Sequence, residues 1–213
     1  MKKQKIYYPV NLDLNGRQCL VIGGGKVASR KVKALLDFGA DVTVLSPVVD
    51  KSIDVYRRSA RFSVIKDKYH RKYLKNVFLI VAATDDPLVN TQVACHAAQK
   101  NTLINVVDVP ELCNFIVPSI VRRGPLVMGI STSGHSPMFA QKLRHKCGPC
   151  VNQYGLFITM LGQARATVKA RFVTMSARKA IYRKILVSPV LGLLKKGQVD
   201  KAKALMQRII AKG

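Results

Sequence analysis

The run Gln18-Cys19-Leu20-Val21-Ile22, followed directly by Gly23-Gly24-Gly25, constrains the fold of this chain more than any other stretch. Apolar and β-branched residues in a short run read as a buried strand, and the glycines end it. Val27, Ala28, Val32, Leu35 and Leu36 then recur at helical spacing up to Phe38, with Gly39 as the stop. Gly23, Gly25 and Ala28 fit G-x-G-x-x-A at the junction. The first glycine permits a tight turn, the second lets backbone N–H groups approach a pyrophosphate, and the small third residue packs helix on strand. The helix N-terminus faces the phosphate charge. A dinucleotide site is the expectation.

The alternation continues. Asp41–Leu45 and Phe62–Lys66 read as further strands, Val77–Ala82 as a continuous apolar strand of a parallel sheet, and Leu103–Val107 as the next. Pro87 stands where a first-turn proline belongs and opens a helix to about Lys100. Strands and helices in this order predict an α/β, Rossmann-like doubly wound parallel sheet. After Asp108 the pattern changes. Phe115–Val117, Ser119–Val121 and Leu126–Ser131 are short β-like runs of an added α+β region, and Ser136-Pro137 caps and opens a basic helix to about Lys146, which Gly148-Pro149 breaks. Residues 151–213 read as three or so helices, interrupted at Ser188-Pro189 and Gly197.

With 48% hydrophobic and 22% charged residues, the 213-residue chain has the balance of a folded protein. Its longest apolar runs, Val77–Ala83 and Ile185–Leu194, are shorter than the roughly 20 residues of a membrane span, and no apolar stretch behind the basic N-terminus suggests a secretory signal. Five cysteines, an odd number, point to a reducing cytoplasm. Cys147-Gly148-Pro149-Cys150 has the letters of a thioredoxin motif. It follows a helix, however, where thioredoxin chemistry needs a helix start, and His145, Cys147 and Cys150 lack a fourth metal ligand nearby. An interhelical turn, a redox pair and a partial metal site stay open, and no metal site is assigned. The net charge of +25 requires an acidic partner of some kind. Its distribution is uneven: residues 1–111 hold 18 basic and 10 acidic residues, whereas 112–213 hold 18 basic residues and Asp200 alone.

The segments YYPVNLDLNGRQCLVIGGGKVASRKVKALLDFGADVTVLSP, VAATDDPLVNTQV and INVVDVPELCNFIVPSIVRRGPLVMGISTSGHSPMFAQKLR occur in this order over residues 7–145. Together they resemble the precorrin-2 dehydrogenase family, which includes the first domain of sirohaem synthases and bifunctional dehydrogenase/ferrochelatases. The resemblance implies three regions: an NAD-binding domain over residues 1–113, a dimerisation region over 114–150 and a basic C-terminal helical region over 151–213. It also implies an intertwined homodimer that oxidises precorrin-2 to sirohydrochlorin with NAD as hydride acceptor, in some relatives with metal insertion (ferrous or cobalt ion) at the same site. Carried over residue by residue, Gly23, Gly24, Gly25, Lys26 and Val27 hold the pyrophosphate. Ser46, Pro47 and Val48 line the adenosine side, and Thr84 and Asp85 lie near the nicotinamide. No acid stands at the end of the second strand to hold the ribose, so NAD over NADP is a lean.

The family's key acid falls on Asp108, at the carboxyl end of a parallel strand where such sheets bind ligands. A carboxylate there can take the proton that accompanies hydride loss; the other reading is a cap for the Pro110 turn. A second family position falls on Thr132, a hydroxyl where serine is usual, with a helix-capping turn as the alternative. Asn105 is a further substrate contact, His135 a proton carrier, metal ligand or solvated loop residue. A substrate with eight carboxylates suits a basic cleft, for which Arg122, Arg123, Lys142 and Arg144 are candidates. A nucleic-acid-binding or NAD-sensing regulator is the rival for the charge. It is set aside because no helix-turn-helix signature stands out and there is no Trp for base stacking.

Overall fold

The computed structural model describes residues 5–213. The chain divides into two compact units, one reaching to Val117 and the other starting at Pro118.

In the first unit five strands, β1 (Gln18–Ile22), β2 (Asp41–Leu45), β3 (Phe62–Ile65), β4 (Leu79–Ala82) and β5 (Leu103–Val106), pair in the order β3-β2-β1-β4-β5. All pairings are parallel, with Ile22 opposite both Leu45 and Ala82, and Ala82 opposite Val106. Helix α1 (Lys26–Asp37) buries Ala28, Val32 and Leu35 on one face of the sheet. Helix α2 (Pro87–Gln99) buries Val93, Ala94 and Ala97 on the other. Both sheet faces are therefore covered, which is why the central strand β4 is apolar and buried throughout, while β2 towards the edge alternates. Strand order reverses at β1, so β1 and β4 flank the crevice where doubly wound sheets take their ligands. Asp86 caps α2 by accepting from the N–H groups of Leu88 and Val89, and Pro87 occupies the first position, as read from the sequence.

β1 and β2 have the bounds expected from sequence, β3 and β5 end one residue early, and β4 begins at Leu79 and not at Val77. The stretch between β2 and β3 is a 3-10 segment over Lys51–Arg58, capped by Asp50 and inserting Ile53 into the core on the α1 face.

The second unit begins with an antiparallel hairpin of β6 (Ser119–Arg123) and β7 (Leu126–Ile130). Gly124, at φ +57°, supplies the positive φ that its two-residue turn needs. Helices α3 (Pro137–Cys150), α4 (Tyr154–Arg171), α5 (Met175–Val187), α6 (Val190–Lys195) and α7 (Val199–Lys212) follow. Phe157, Met160, Ile181, Ile185, Val190, Ala202, Met206 and Ile210 build their core. The breaks at Ser188-Pro189 and Gly197 are where the sequence places them.

Two expectations need correction. Phe115–Val117 forms no strand. Helix α3 does not end at Lys146 but runs through Gly148-Pro149 to Cys150. Pro149 lacks the N–H that would reach the carbonyl of His145, yet in a final turn few bonds remain downstream to lose. The Cys-Gly-Pro-Cys segment is thus the last helical turn, and not the helix start that thioredoxin chemistry needs. No group of three metal-ligating side chains occurs among the described residues, and no helix there is long and apolar enough to cross a membrane.

Candidate functional site

The ends of four parallel strands gather the first unit's candidate residues along one sheet edge. After β1 the chain enters the glycine turn. Gly23 has φ +114°, and a Cβ on it would stand 2.3 Å from the carbonyl oxygen of Ala83 at the end of β4. A Cβ on Gly24 would stand 2.0 Å from the carbonyl oxygen of Val48. Both glycines are therefore demanded by the fold itself. Gly25 differs: a Cβ there would meet nothing within 4 Å. It is the N-cap of α1, whose first turn no side chain caps. Open space in front of uncapped helix N–H groups fits the pyrophosphate of a dinucleotide. Lys26 and Val27 open the helix, and Lys26 is exposed.

After β2, Ser46 is buried and its hydroxyl donates to the carbonyl of Val48 (2.7 Å), while Pro47 and Val48 are exposed. An acidic residue further along the chain, Asp50, packs its backbone against the glycine turn. The N–H of Asp50 donates to the carbonyl of Gly24 (2.8 Å), so this carboxylate returns to the glycine turn. Its pKa lies below the ordinary carboxylate value, held down by its hydrogen bonds to Ser52 and aided by the charge of Lys26. Nothing in the periodicity of the sequence marks Asp50. Its only local signal is the cap it makes with Ser52.

After β4, the Thr84 hydroxyl donates toward Asn90 Oδ1 (2.9 Å), and Asn90 Nδ2 returns a bond to the carbonyl of Thr84 (2.9 Å). This reciprocal pair fixes the turn into α2 and leaves Asp85 exposed beside it.

After β5 stands Asp108, exposed and at φ +60°, a left-handed conformation that Asp tolerates better than most residues but at a cost. The 3-10 turn over Pro110–Leu112 has Val109 at its N-cap and no side-chain cap, so capping is not the job of Asp108. The half-buried Lys31, on α1 between Ala28 and Leu35 of the buried face, was not singled out from sequence. Burial and the neighbouring Arg30 lower its pKa, while the charges of Asp108 and Cys113 oppose that shift. Asn105 is 9% exposed, and its Nδ2 donates to the carbonyl of Phe115 (3.2 Å). Strand neighbours lie about 4.8 Å apart, so two strand steps from β1 to β5 put Asp108 about 10 Å from the glycine turn, within the span of a dinucleotide.

The second unit holds the remaining candidates. Thr132 Oγ1 accepts from the N–H of Ser136 (3.0 Å), and the carbonyl of Thr132 accepts from that of His135 (2.9 Å). With Ser133 at φ +52°, these bonds shape the turn before α3, whose N-cap Ser136 accepts from Phe139 N–H (3.2 Å). Arg122 and Arg123 are consecutive on β6 and point to opposite faces, so they do not line one surface together. Arg123 is tied to Asn152 and to the carbonyl of Arg122. Lys142 and His135 are exposed, and Arg144 Nη2 contacts His145 Nε2 (3.1 Å).

Comparisons with known proteins agree with this geometry. Residues 10–119 match an NAD(P)-binding family model, and residues 153–210 match the sirohaem synthase dimerisation region. That second match falls on the C-terminal helices, outside residues 114–150. Sirohaem synthase from Psychrobacter arcticus is 36% identical over 201 residues, covering 94% of this chain and 37% of that protein. The one from Photobacterium profundum is 36% identical over 198 residues, covering 92% of this chain and 42% of the relative. The chain thus spans about two fifths of the length of these curated relatives. Among solved structures, the precorrin-2 dehydrogenase SirC superposes with a TM-score of 0.77 at 28% identity, covering 95% of this chain and all of SirC. With family matches in both units and a glycine turn that is open at Gly25, the chain belongs to the NAD(P)-binding family whose model matches residues 10–119, and it is similar to sirohaem synthases and to SirC.

Proposed function

We propose that this chain catalyses the oxidation of precorrin-2 to sirohydrochlorin, with NAD as the hydride acceptor and Asp108 as the proton acceptor. The observation that carries the reading is an exposed carboxylate at the carboxyl end of β5, two strands from a glycine turn whose third glycine, at the uncapped start of α1, has open space before it. NAD, when bound, takes the hydride. The chain's own residues do the rest. The N–H groups at the start of α1 hold the pyrophosphate, and Pro47 and Val48 bound the adenosine side. Asp108 accepts the proton that leaves the macrocycle together with the hydride, so that two electrons and two hydrogens are accounted for. Asp50, held anionic beside the glycine turn, disfavours a 2′-phosphate and supports NAD over NADP.

The protein acts as a homodimer in this reading, supported by the match to a dimerisation region over residues 153–210. In the second unit, Thr132 lies in a polar turn, and the exposed Arg122 and Lys142 are cations of the kind that suits a polycarboxylate. Ferrous or cobalt ion enters as the substrate of a following insertion step, for which Asp108 is also the proton acceptor. All five cysteines are free thiols, in keeping with a reducing cytoplasm.

The test is anaerobic incubation with precorrin-2 and NAD, followed by the absorbance of NADH and then by addition of ferrous or cobalt ion. Asp108→Ala is expected to lose roughly 10²- to 10⁴-fold in NADH formation, the usual worth of a positioned general base, while NAD affinity stays unchanged. Full turnover by that variant would sink the assignment.

A further inference from the structure

The turn that presents Asp108 is held by a side chain from the far end of the first unit. From Val106 to Asn114 the chain leaves β5, passes through the left-handed Asp108 and makes the 3-10 turn Pro110–Leu112. A non-glycine residue at positive φ persists only where its surroundings over-determine it. Two groups inside the turn contribute. Cys113, 5% exposed, places Sγ 3.1 Å from Val106 N and 3.2 and 3.3 Å from the carbonyl oxygens of Val106 and Val109. Burial raises its pKa, so it stays a thiol that can both donate and accept. Asn114 laces the end of the turn to β5, with Oδ1 accepting from Ile104 N–H (2.8 Å) and Nδ2 donating to Thr102 O (2.9 Å).

The third group comes from outside. Lys5 Nζ donates to the carbonyls of Pro110 (3.0 Å), Glu111 (3.0 Å) and Cys113 (2.7 Å), across more than a hundred residues of sequence. An ammonium has three N–H donors, and here each has a carbonyl. The acceptors run from the first residue of the 3-10 turn to its C-cap, and the Pro110 carbonyl also accepts from Cys113 N–H, so the cation reinforces the turn's own bond. Lys5 is itself exposed, and its three carbonyl contacts oppose a rotamer-entropy cost of up to about 2 kcal/mol for fixing the side chain.

We propose that Lys5 is a positioning residue for Asp108: by clamping the 110–113 turn it holds the carboxylate in its left-handed conformation at the sheet edge. This rests on the reading of Asp108 as the proton acceptor. Lys5 bonds to the 110–113 turn and not to the glycine turn, so its removal is expected to act on the chemical step and not on NAD binding.

The experiment compares wild type, Lys5→Met and Lys5→Arg in anaerobic NADH formation from precorrin-2, with NAD affinity, thermal midpoint and amide exchange at Leu112 and Cys113 measured in parallel. Lys5→Met is expected to lower kcat about tenfold with NAD affinity and thermal midpoint nearly unchanged, and Lys5→Arg to recover most of the loss. The Leu112 and Cys113 amides, which donate to the carbonyls of Val109 and Pro110, are expected to exchange about tenfold faster in Lys5→Met. Wild-type kcat in Lys5→Met, or a loss that tracks a lowered thermal midpoint and is not rescued by Arg, overturns the proposal. If wild type itself forms no NADH, the dehydrogenase reading falls. Unchanged amide exchange in Lys5→Met would then still refute the clamp.

Discussion

The two units differ in how they meet a large positive charge: the first pairs part of it with acidic side chains as well as with carbonyls, and the second has almost no acids to pair with. In the first, cations have acids within reach: Lys33 pairs with Asp37, Arg57 with Asp54 and Lys72 with Asp67. All three pairs are solvent-exposed and contribute little stability, but they neutralise. The second unit has Asp200 as its one acidic residue, so its cations turn to the backbone. Arg178 donates to the carbonyls of Phe172, Val173 and Lys169 at the end of α4. Arg171 and Lys184 donate to the carbonyls of Ala211 and Gly213 at the end of α7. Orphaned carbonyls at a helix C-terminus carry partial negative charge, and cations satisfy them without any acidic residue. The uneven charge is therefore partly structural, and less of it is left over for a ligand than the sequence suggests.

This contrast can be broken in three ways. The largest effect is expected where the first unit relies on backbone geometry. Gly23→Ala combines a forbidden φ with a Cβ 2.3 Å from a carbonyl oxygen, and a loss on the order of 3 kcal/mol or more is expected in the unfolding of that unit. Gly25→Ala, with open space around its Cβ, should leave thermal stability unchanged while weakening NAD binding. Equal thermal midpoints for both variants would show that the two glycines do not divide as argued. In the second unit, Arg178→Met should lower stability by about 1–2 kcal/mol, because carbonyls at the end of α4 lose a charged donor. Charge repulsion alone predicts the opposite sign, and exposed Lys201→Met serves as the control, expected to be neutral or stabilising. Denaturant titration of the two variants separates these outcomes.

The smallest effect is a difference in acid response. Asp67, held low by the Tyr73 hydroxyl and the Lys68 N–H, and Asp50, held low by Ser52, both have folded pKa values below the ordinary 3.8. Their stabilisation is present above that ordinary value and is lost as pH falls through the depressed folded values. Amide exchange in the strands of the first unit should therefore quicken on acidification from about pH 4 to 2. The helices of the second unit, with a single acidic side chain, should change less. Matching acceleration in both units would remove the distinction.

Most of the first unit was legible because its signals are local. The strand β1, the glycine turn, α1 with its stop at Gly39, and α2 with Pro87 at its start each depend on residues a few positions apart. The same holds for the Ser136-Pro137 start of α3. What escaped reading involves chain segments that meet only after folding. The carbonyl of Val48 arrives over Gly24, which makes an apparently variable middle glycine obligatory. Asp50 comes back to the turn that seemed to lack an acid. The adjacent Arg122 and Arg123 looked like one basic patch, yet a strand sends them to opposite sides.

Asp108 shows the division most clearly. Its position after an apolar strand and its resemblance to a family acid could be read from the letters alone, because strand register and motif order are properties of the chain. Its left-handed backbone, the Cys113 thiol folded beneath it and the Lys5 ammonium clamped over the following turn could not. Local sequence determines which element a residue joins. Whether that residue is held in a costly conformation depends on groups far away in the chain, and those meet only when the tertiary structure closes.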